Sequence, residues 1–325
     1  IAWLKRQKAV APAKPVFLYF TPGGTHAPLQ VPDSWRARFR GQFDQGWDRL
    51  REETFARQKE GGVIPAATLL TPRPAAIPAW DSLSADEQRV ASRMMETYAA
   101  FLAHTDAQVG RLADALAELG LADNTLFVYI VGDNGASGEG DLTGSLNYMA
   151  QLQGSPDSLA DRLRRLEEIG GPTTHTHYPA GWAWALDTPF QWTKQIASHL
   201  GGTRNPLVVS WPARIRDAGA LRDEWAFVAD LMPTVLEAAG AGAGVWCSDS
   251  NRPLPHFNAV STESVRRVRR PSAMRASSGA TAREPSTSVT VRSAAALCTS
   301  TSSRRSTHSA AAIIEPIGYQ ASVSP

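Results

Sequence analysis

Thr125-Leu-Phe-Val-Tyr-Ile-Val-Gly-Asp-Asn-Gly135 is the stretch of the 325-residue chain that decides the fold. β-Branched, aromatic and aliphatic residues run without interruption from Leu126 to Val131 and stop at a glycine. A short apolar run closed by glycine predicts a strand buried on both faces, as in a parallel sheet. The polar residues then follow the carboxyl end of the strand, where open α/β sheets place their ligands.

Two oxygen donors stand in this motif. Asp133 offers a carboxylate and Asn134 an amide oxygen, and both are hard donors that suit Ca²⁺ or Mg²⁺. Gly132 and Gly135 permit positive φ and a close approach of backbone. Taken alone, Asp-Asn-Gly is more typical of a plain turn after a strand, so its chemical role depends on the rest of the chain.

A long helix is predicted to lead into this strand. Ser84-Ala-Asp-Glu87 is a capping box, and apolar residues recur at helical spacing from there to Leu119. Gly120 suits the position just after the helix. Further helices are predicted over 1–8, 47–57, 158–169 and 230–240.

Two other short apolar runs predict strands, Val16–Phe20 and 206–211. Both are separated from the 125–131 run by helical or glycine-rich sequence, which is the strand-helix-strand rhythm of a doubly wound α/β sheet. The insertion over 136–187 also contains His175 and His177, whose alternate spacing in a loop is weak evidence for a metal site.

Charge is distributed unevenly along the chain. The formal net charge is +2, but residues 245–325 hold ten arginines and four acidic residues, so residues 1–244 carry −4. No apolar run approaches the ~20 residues of a transmembrane helix. We therefore expect neither a nucleic-acid partner nor a membrane span.

The composition changes abruptly after Gly244, which divides the chain into residues 1–244 and a tail over 245–325. Ser, Thr, Ala and Arg dominate the tail without a periodic apolar face, so it cannot bury enough apolar surface to fold. A basic disordered arm and an out-of-frame translation both explain it, and we favour the second. The two cysteines, Cys247 and Cys298, both fall in this tail.

Three blocks together resemble the sulfatases of the alkaline-phosphatase superfamily, specifically the large bacterial arylsulfatases. They are Phe17–Pro28, the helix that leads into Gly132–Gly135, and the segment from Lys194 to Pro206. The resemblance covers roughly residues 1–241. It implies an alkaline-phosphatase-like three-layer αβα sandwich with a mostly parallel central sheet, and hydrolysis of aryl or other hydrophobic sulfate esters.

The resemblance also implies roles for individual residues. Asp133 and Asn134 match half of a divalent-metal site, usually for Ca²⁺, with Mg²⁺ as the alternative. His26 matches a histidine that contacts the ester at its scissile end, and Lys194 matches a lysine on the sulfate oxygens. His199 and Arg204 lie close to Lys194 in sequence, and we expect them to give structural support.

Two parts of the family pattern are absent from this sequence. Sulfatases use a formylglycine made from Cys or Ser in a Cys/Ser-x-Pro/Ala-x-Arg motif, and neither Cys247 nor Cys298 has that context. The family's aspartate pair, the remaining metal ligands, is missing as well. We therefore expect these elements to precede Ile1 and the chain to be a carboxyl-terminal fragment that is inactive alone. Any export signal would also precede Ile1, which leaves bacterial cytoplasm and periplasm open.

Other functions fit the same residues. A phosphatase or phosphonate monoester hydrolase of the same superfamily would share the metal site and sheet and differ at the nucleophile. A non-catalytic, sulfatase-like binding protein would lack the nucleophile altogether. The Lys194 segment favours a sulfatase.

Overall fold

The computed structural model describes residues 1–222, 226–240 and 312–314. The α-helices in these residues are α1 Ala2–Val10, α2 Asp33–Arg36, α3 Gly46–Glu60, α4 Ala85–Glu118, α5 Tyr148–Leu152, α6 Leu159–Arg164, α7 Ala180–Leu186, α8 Leu200–Thr203 and α9 Leu231–Ala238. The strands are β1 Phe127–Ile130, β2 Leu207–Ser210 and β3 Ala312–Ile314. Short 3-10 helices cover Ala37–Phe39, Trp80–Ser82, Ala122–Asn124, Leu166–Glu168 and Val228–Asp230.

The long helix α4 forms as its sequence predicts. The Ser84 hydroxyl accepts from the Glu87 backbone N–H at 3.4 Å, and a Glu87 carboxylate oxygen accepts from the Ser84 N–H at 2.8 Å. The capping box is therefore closed on both sides. At the other end Gly120 adopts a positive φ of 66° and donates to the Ala117 carbonyl at 2.9 Å, which stops the helix.

The core lies between α3, α4 and α7, and three tryptophans form its centre. The ring centroid of Trp47 lies 4.8 Å from that of Trp80 and 5.6 Å from that of Trp182. Trp182 also donates its indole N–H to the Ala91 carbonyl of α4 at 2.9 Å. Gly181 permits this packing, because a Cβ there would lie only 2.5 Å from the Trp47 ring.

The small sheet is antiparallel throughout, so the predicted mostly parallel arrangement is wrong for the strands that the structure describes. The strand order is β1-β2-β3. Phe127 of β1 lies opposite Ser210 of β2, and Leu207 of β2 lies opposite Ile314 of β3. Residues of β1 are half-buried, not buried on both faces as predicted. An apolar run shows that a strand forms, but its direction depends on the path of the 76 residues between β1 and β2.

The predicted strand at Val16–Phe20 is also wrong. This segment has no regular secondary structure, and Phe17 and Tyr19 are 69% and 80% exposed. Its composition suits a strand, but a strand needs a neighbour to accept and donate its backbone hydrogen bonds. In the part of the chain that the structure describes, the sheet places no strand beside it.

The other predicted elements are found with changed limits. The helix predicted over 158–169 is divided into two short pieces, α6 and the 3-10 turn Leu166–Glu168. The elements α1, α3, α9 and β2 form where they are predicted, with ends that differ by a few residues. None of the described helices is both long and apolar enough to cross a membrane. The predicted boundary at 244 and most of the 245–325 tail lie outside the described residues.

Candidate functional site

The Asp133-Asn134 motif lies directly beyond the carboxyl end of β1, where the sequence predicts it. Gly132 turns the chain with a φ of 87°, a conformation that favours glycine. The Asp133 side chain is exposed, and the Asn134 amide N–H donates to its carboxylate at 2.7 Å. This bond orients the pair and leaves the second Asp133 oxygen and the Asn134 amide oxygen available to a ligand.

The segment that carries Lys194 packs against this motif through backbone contacts. Gly135 donates to the Gly202 carbonyl at 3.1 Å, and Lys194 donates its backbone N–H to the Ala136 carbonyl at 2.9 Å. The approach at Gly135 requires glycine, since a Cβ there would lie 1.5 Å from the Gly201 carbonyl oxygen. The two segments predicted to be functional are therefore adjacent.

Asn205 supports the same turn from the following loop. With its amide oriented to satisfy both partners, Asn205 accepts from the Asn134 backbone N–H at 3.0 Å and donates to the Asn134 carbonyl at 2.7 Å. The Asn205 side chain thus bonds both backbone groups of Asn134, as the backbone of a neighbouring strand would. Nothing in the spacing of the sequence points to this residue.

His26 and Lys194 meet although 168 positions separate them in the chain. The Lys194 ammonium nitrogen lies 3.2 Å from Nε2 of His26, and His26 Nδ1 lies 2.8 Å from the Ala27 carbonyl oxygen. A carbonyl oxygen can only accept, so Nδ1 carries the proton and Nε2 accepts from Lys194. This assigns the neutral Nδ1–H tautomer to His26.

Glu139 is a third member of this cluster that sequence reasoning missed. Its carboxylate accepts from Lys194 Nζ at 3.0 Å, from Gln195 Nε2 at 2.7 Å and from the Ser137 hydroxyl at 2.9 Å. Burial raises the pKa of Glu139, but the hydrogen bonds from Lys194 and Ser137 outweigh it and hold the pKa below its usual value. A glutamate in a glycine-rich loop carries no spacing signal that would have identified it.

His177 lies behind Glu139 in the same network. Its Nδ1 is 2.9 Å from the Tyr178 carbonyl oxygen and its Nε2 is 3.0 Å from the Ser137 hydroxyl. Burial lowers the pKa of His177, which favours the neutral ring. Ser137 then shares its single proton between His177 Nε2 and the Glu139 carboxylate.

The predicted supporting residues surround the Lys194 segment. His199 is half-buried at the start of α8, with its ring edge-on to Trp192 at 6.1 Å. Arg204 is 5% exposed, and its guanidinium lies 5.3 Å from the centroid of the Phe190 ring. Both are placed against aromatic rings of their own segment, and their supporting role stays a prediction.

A family comparison gives this arrangement its context. The sequence profile described as Sulfatase matches residues 2–241. The chain belongs to the sulfatase family. The resemblance seen in the sequence is thereby confirmed, and with it a hydrolase family whose members share an alkaline-phosphatase-like α/β fold.

Two relatives of the sulfatase chain are similar over most of its length. It is 29% identical to an arylsulfatase of Klebsiella aerogenes over 239 residues, which are 74% of this chain and 48% of the relative. It is 32% identical to an uncharacterized sulfatase of Schizosaccharomyces pombe over 224 residues, which are 69% of this chain and 39% of the relative. The sulfatase chain therefore spans less than half the length of either relative.

A buried acid that the sequence did not reveal anchors the loop after Asn134. Asp187 accepts the Ala136 backbone N–H at 2.9 Å, and its second carboxylate oxygen is buried without a hydrogen-bond partner. Burial raises the pKa of Asp187 well above its usual value. Because the Ala136 carbonyl also accepts the backbone N–H of Lys194, Asp187 helps to position Lys194.

Metal-binding donors are few in the described part of the sulfatase chain. No group of three or more His, Cys, Asp or Glu side chains gathers there in a way that could hold an ion. Asp133 and Asn134 remain the pair whose chemistry fits a hard divalent cation, and they would fill two of the six to eight positions that Ca²⁺ takes. The residues therefore fit part of a metal site.

Proposed function

We propose that this chain is part of a sulfuric ester hydrolase that acts on aryl or other hydrophobic sulfate esters. The observation that carries the proposal is the contact between Lys194 Nζ and His26 Nε2 at 3.2 Å. The family resemblance gives both residues contacts with the ester, and a contact across 168 positions supports a common site. The adjacent Asp133-Asn134 loop adds oxygen donors.

Lys194 is the group that would bind and stabilise negative charge. Its ammonium has three N–H bonds, and within the described residues one is directed at Glu139 and one at His26. The third remains for an ester oxygen. When the bond to the leaving group breaks, negative charge grows on the departing oxygen, and a preorganised ammonium stabilises it more than water would.

His26 is placed to orient the Lys194 ammonium. In the neutral Nδ1–H tautomer its Nε2 holds a lone pair beside the Lys194 ammonium. This lone pair accepts an N–H of Lys194 and so fixes the direction of the ammonium. His26 is exposed, so an ester reaches it from solvent without displacing the core.

Asp133 and Asn134 would hold a divalent cation, Ca²⁺ or Mg²⁺, through one carboxylate and one amide oxygen. A cation bound there neutralises charge on the sulfate oxygens. We propose that the remaining metal ligands and the formylglycine nucleophile come from residues other than 1–241. The chain alone is then expected to bind an ester analogue but not to turn an ester over.

The experiment measures binding and turnover separately. Purified chain with Ca²⁺ should leave 4-nitrophenyl sulfate intact, and it should bind benzenesulfonate, an unreactive analogue, in calorimetry. Lys194→Met should weaken this binding by about 10- to 100-fold, the value of a hydrogen bond to a charged group.

Lys5→Met is the matched control, because Lys5 also pairs with a glutamate at 3.0 Å but on an exposed surface. Equal binding by the wild type and Lys194→Met would contradict the site. Calcium-dependent hydrolysis by the wild-type chain would contradict the proposed inactivity and leave the site intact.

A further inference from the structure

The ion pair between Lys194 and Glu139 lies within the proposed site. Its side chains are only 19% and 17% exposed, whereas those of the Lys5–Glu118 pair, at the same 3.0 Å separation, are 51% and 62% exposed. Charges that are partly withdrawn from water interact more strongly because the effective dielectric is lower. Glu139 therefore changes the field at the lysine that would bind the ester.

Glu139 is also held in place independently of Lys194. Gln195 donates to one carboxylate oxygen at 2.7 Å, and the Ser137 hydroxyl lies 2.9 Å from the other. A ligand that engages Lys194 therefore meets a carboxylate that does not swing away. The negative charge remains part of the site when it is occupied.

Distance and charge then decide what this carboxylate does to a ligand. A ligand oxygen hydrogen-bonded to Lys194 Nζ lies about 2.8 Å from that nitrogen, and Glu139 Oε2 lies 3.0 Å from it. The two oxygens are thus separated by no more than about 6 Å. At that separation, repulsion from the Glu139 carboxylate alone lowers the affinity roughly tenfold for each added unit of negative charge on the ligand. Lys194 and Glu139 cancel in net charge, and the neutral tautomer of His26 adds none.

We propose that Glu139 shifts the selectivity of this site away from dianionic esters, such as phosphate monoesters, and towards monoanionic ones, such as sulfate monoesters. The inference rests on the proposed function, since it names what distinguishes the substrate at that site. Lys194 alone would attract a dianion more strongly than a monoanion. The fixed carboxylate beside it reverses part of that preference.

The test uses two unreactive ligands of nearly the same shape that differ by one charge. Benzenesulfonate carries one negative charge, and phenylphosphonate carries two at mildly alkaline pH. Calorimetry on the whole chain measures both dissociation constants, and their ratio is the readout. In Glu139→Gln, phenylphosphonate should gain about tenfold in affinity relative to benzenesulfonate.

Two further variants separate charge from geometry. Glu139→Asp keeps the charge and should keep the wild-type ratio within about twofold. Glu118→Gln removes a carboxylate from the exposed Lys5 pair and should also leave the ratio unchanged. If Glu139→Gln does not fold, Glu139→Ala is measured instead. It also removes the charge, so phenylphosphonate should again gain about tenfold relative to benzenesulfonate.

Each other result overturns the inference in a recognisable way. An unchanged ratio in Glu139→Gln, with benzenesulfonate still bound, overturns the selectivity and leaves the proposed function standing. Equal shifts in Glu139→Gln and Glu139→Asp show that Glu139 acts through geometry and overturn the role of its charge. Failure of the wild type to bind either ligand overturns the proposed function and this inference together.

Discussion

Gly135 lies where the two loops of the site touch, and Gly135→Ala tests whether that contact stabilises the chain. A Cβ at this position would lie 1.5 Å from the Gly201 carbonyl oxygen and 2.7 Å from its carbonyl carbon. Both atoms are backbone, so the clash cannot be relieved by a side-chain rotation. The loop after β1 and the loop around α8 must separate.

The geometry sets the size of the effect. Real Cβ atoms essentially never approach other heavy atoms within 3.0 Å, so the oxygen must move by about 1.5 Å. Overpacking of this kind costs about 1–3 kcal/mol. The movement also breaks the hydrogen bond from Gly135 N–H to the Gly202 carbonyl, worth about 1 kcal/mol. We expect the free energy of unfolding to fall by about 2–4 kcal/mol.

Urea unfolding measures this change against a glycine with the opposite expectation. Gly110 lies inside α4, is exposed, and would place a Cβ in open space. Gly110→Ala should therefore raise the free energy of unfolding by about 0.5–1 kcal/mol, because alanine favours helix. If Gly135→Ala unfolds within about 0.5 kcal/mol of the wild type, the two loops do not pack as described.

Two further predictions concern a helix end and a buried acid. Ser84→Ala opens the capping box of α4 and should lower the free energy of unfolding by about 1 kcal/mol; urea midpoints unchanged from the wild type would contradict this. Burial raises the pKa of Asp187 in the folded chain well above its ordinary value of 3.8. Between these two pKa values the unfolded chain releases a proton that the folded chain keeps, so the free energy of unfolding falls as pH rises through this range. Asp187→Asn cannot titrate, so its stability relative to the wild type should increase across that range, and parallel pH curves for the two proteins would refute the assignment.

The sequence by itself determined the elements whose hydrogen bonds are local. In α4 the capping box, the helical spacing and Gly120 all act within a few residues of one another, so sequence and structure agree. The apolar run into Gly132 predicted β1 and placed Asp133 and Asn134 beyond its end. The order of three moderately specific blocks was also enough to identify the family.

Only the tertiary structure decided how these pieces meet. The antiparallel pairing of β1 with β2 follows from the return path of the intervening chain, and an apolar run has no direction of its own. Val16–Phe20 has strand-forming composition but no neighbouring strand among the described residues. Composition specifies what a segment can form, whereas a sheet forms only where a second backbone lies alongside.

The site shows the same division most clearly. Residue type and family pattern pointed to His26 and Lys194, but their contact spans 168 positions and exists only in the folded chain. No local sequence pattern identifies Glu139, because its role depends on a lysine 55 positions away. Local patterns encode partners that are close in the chain, while the charge balance of a site depends on groups that folding brings together from distant parts of it.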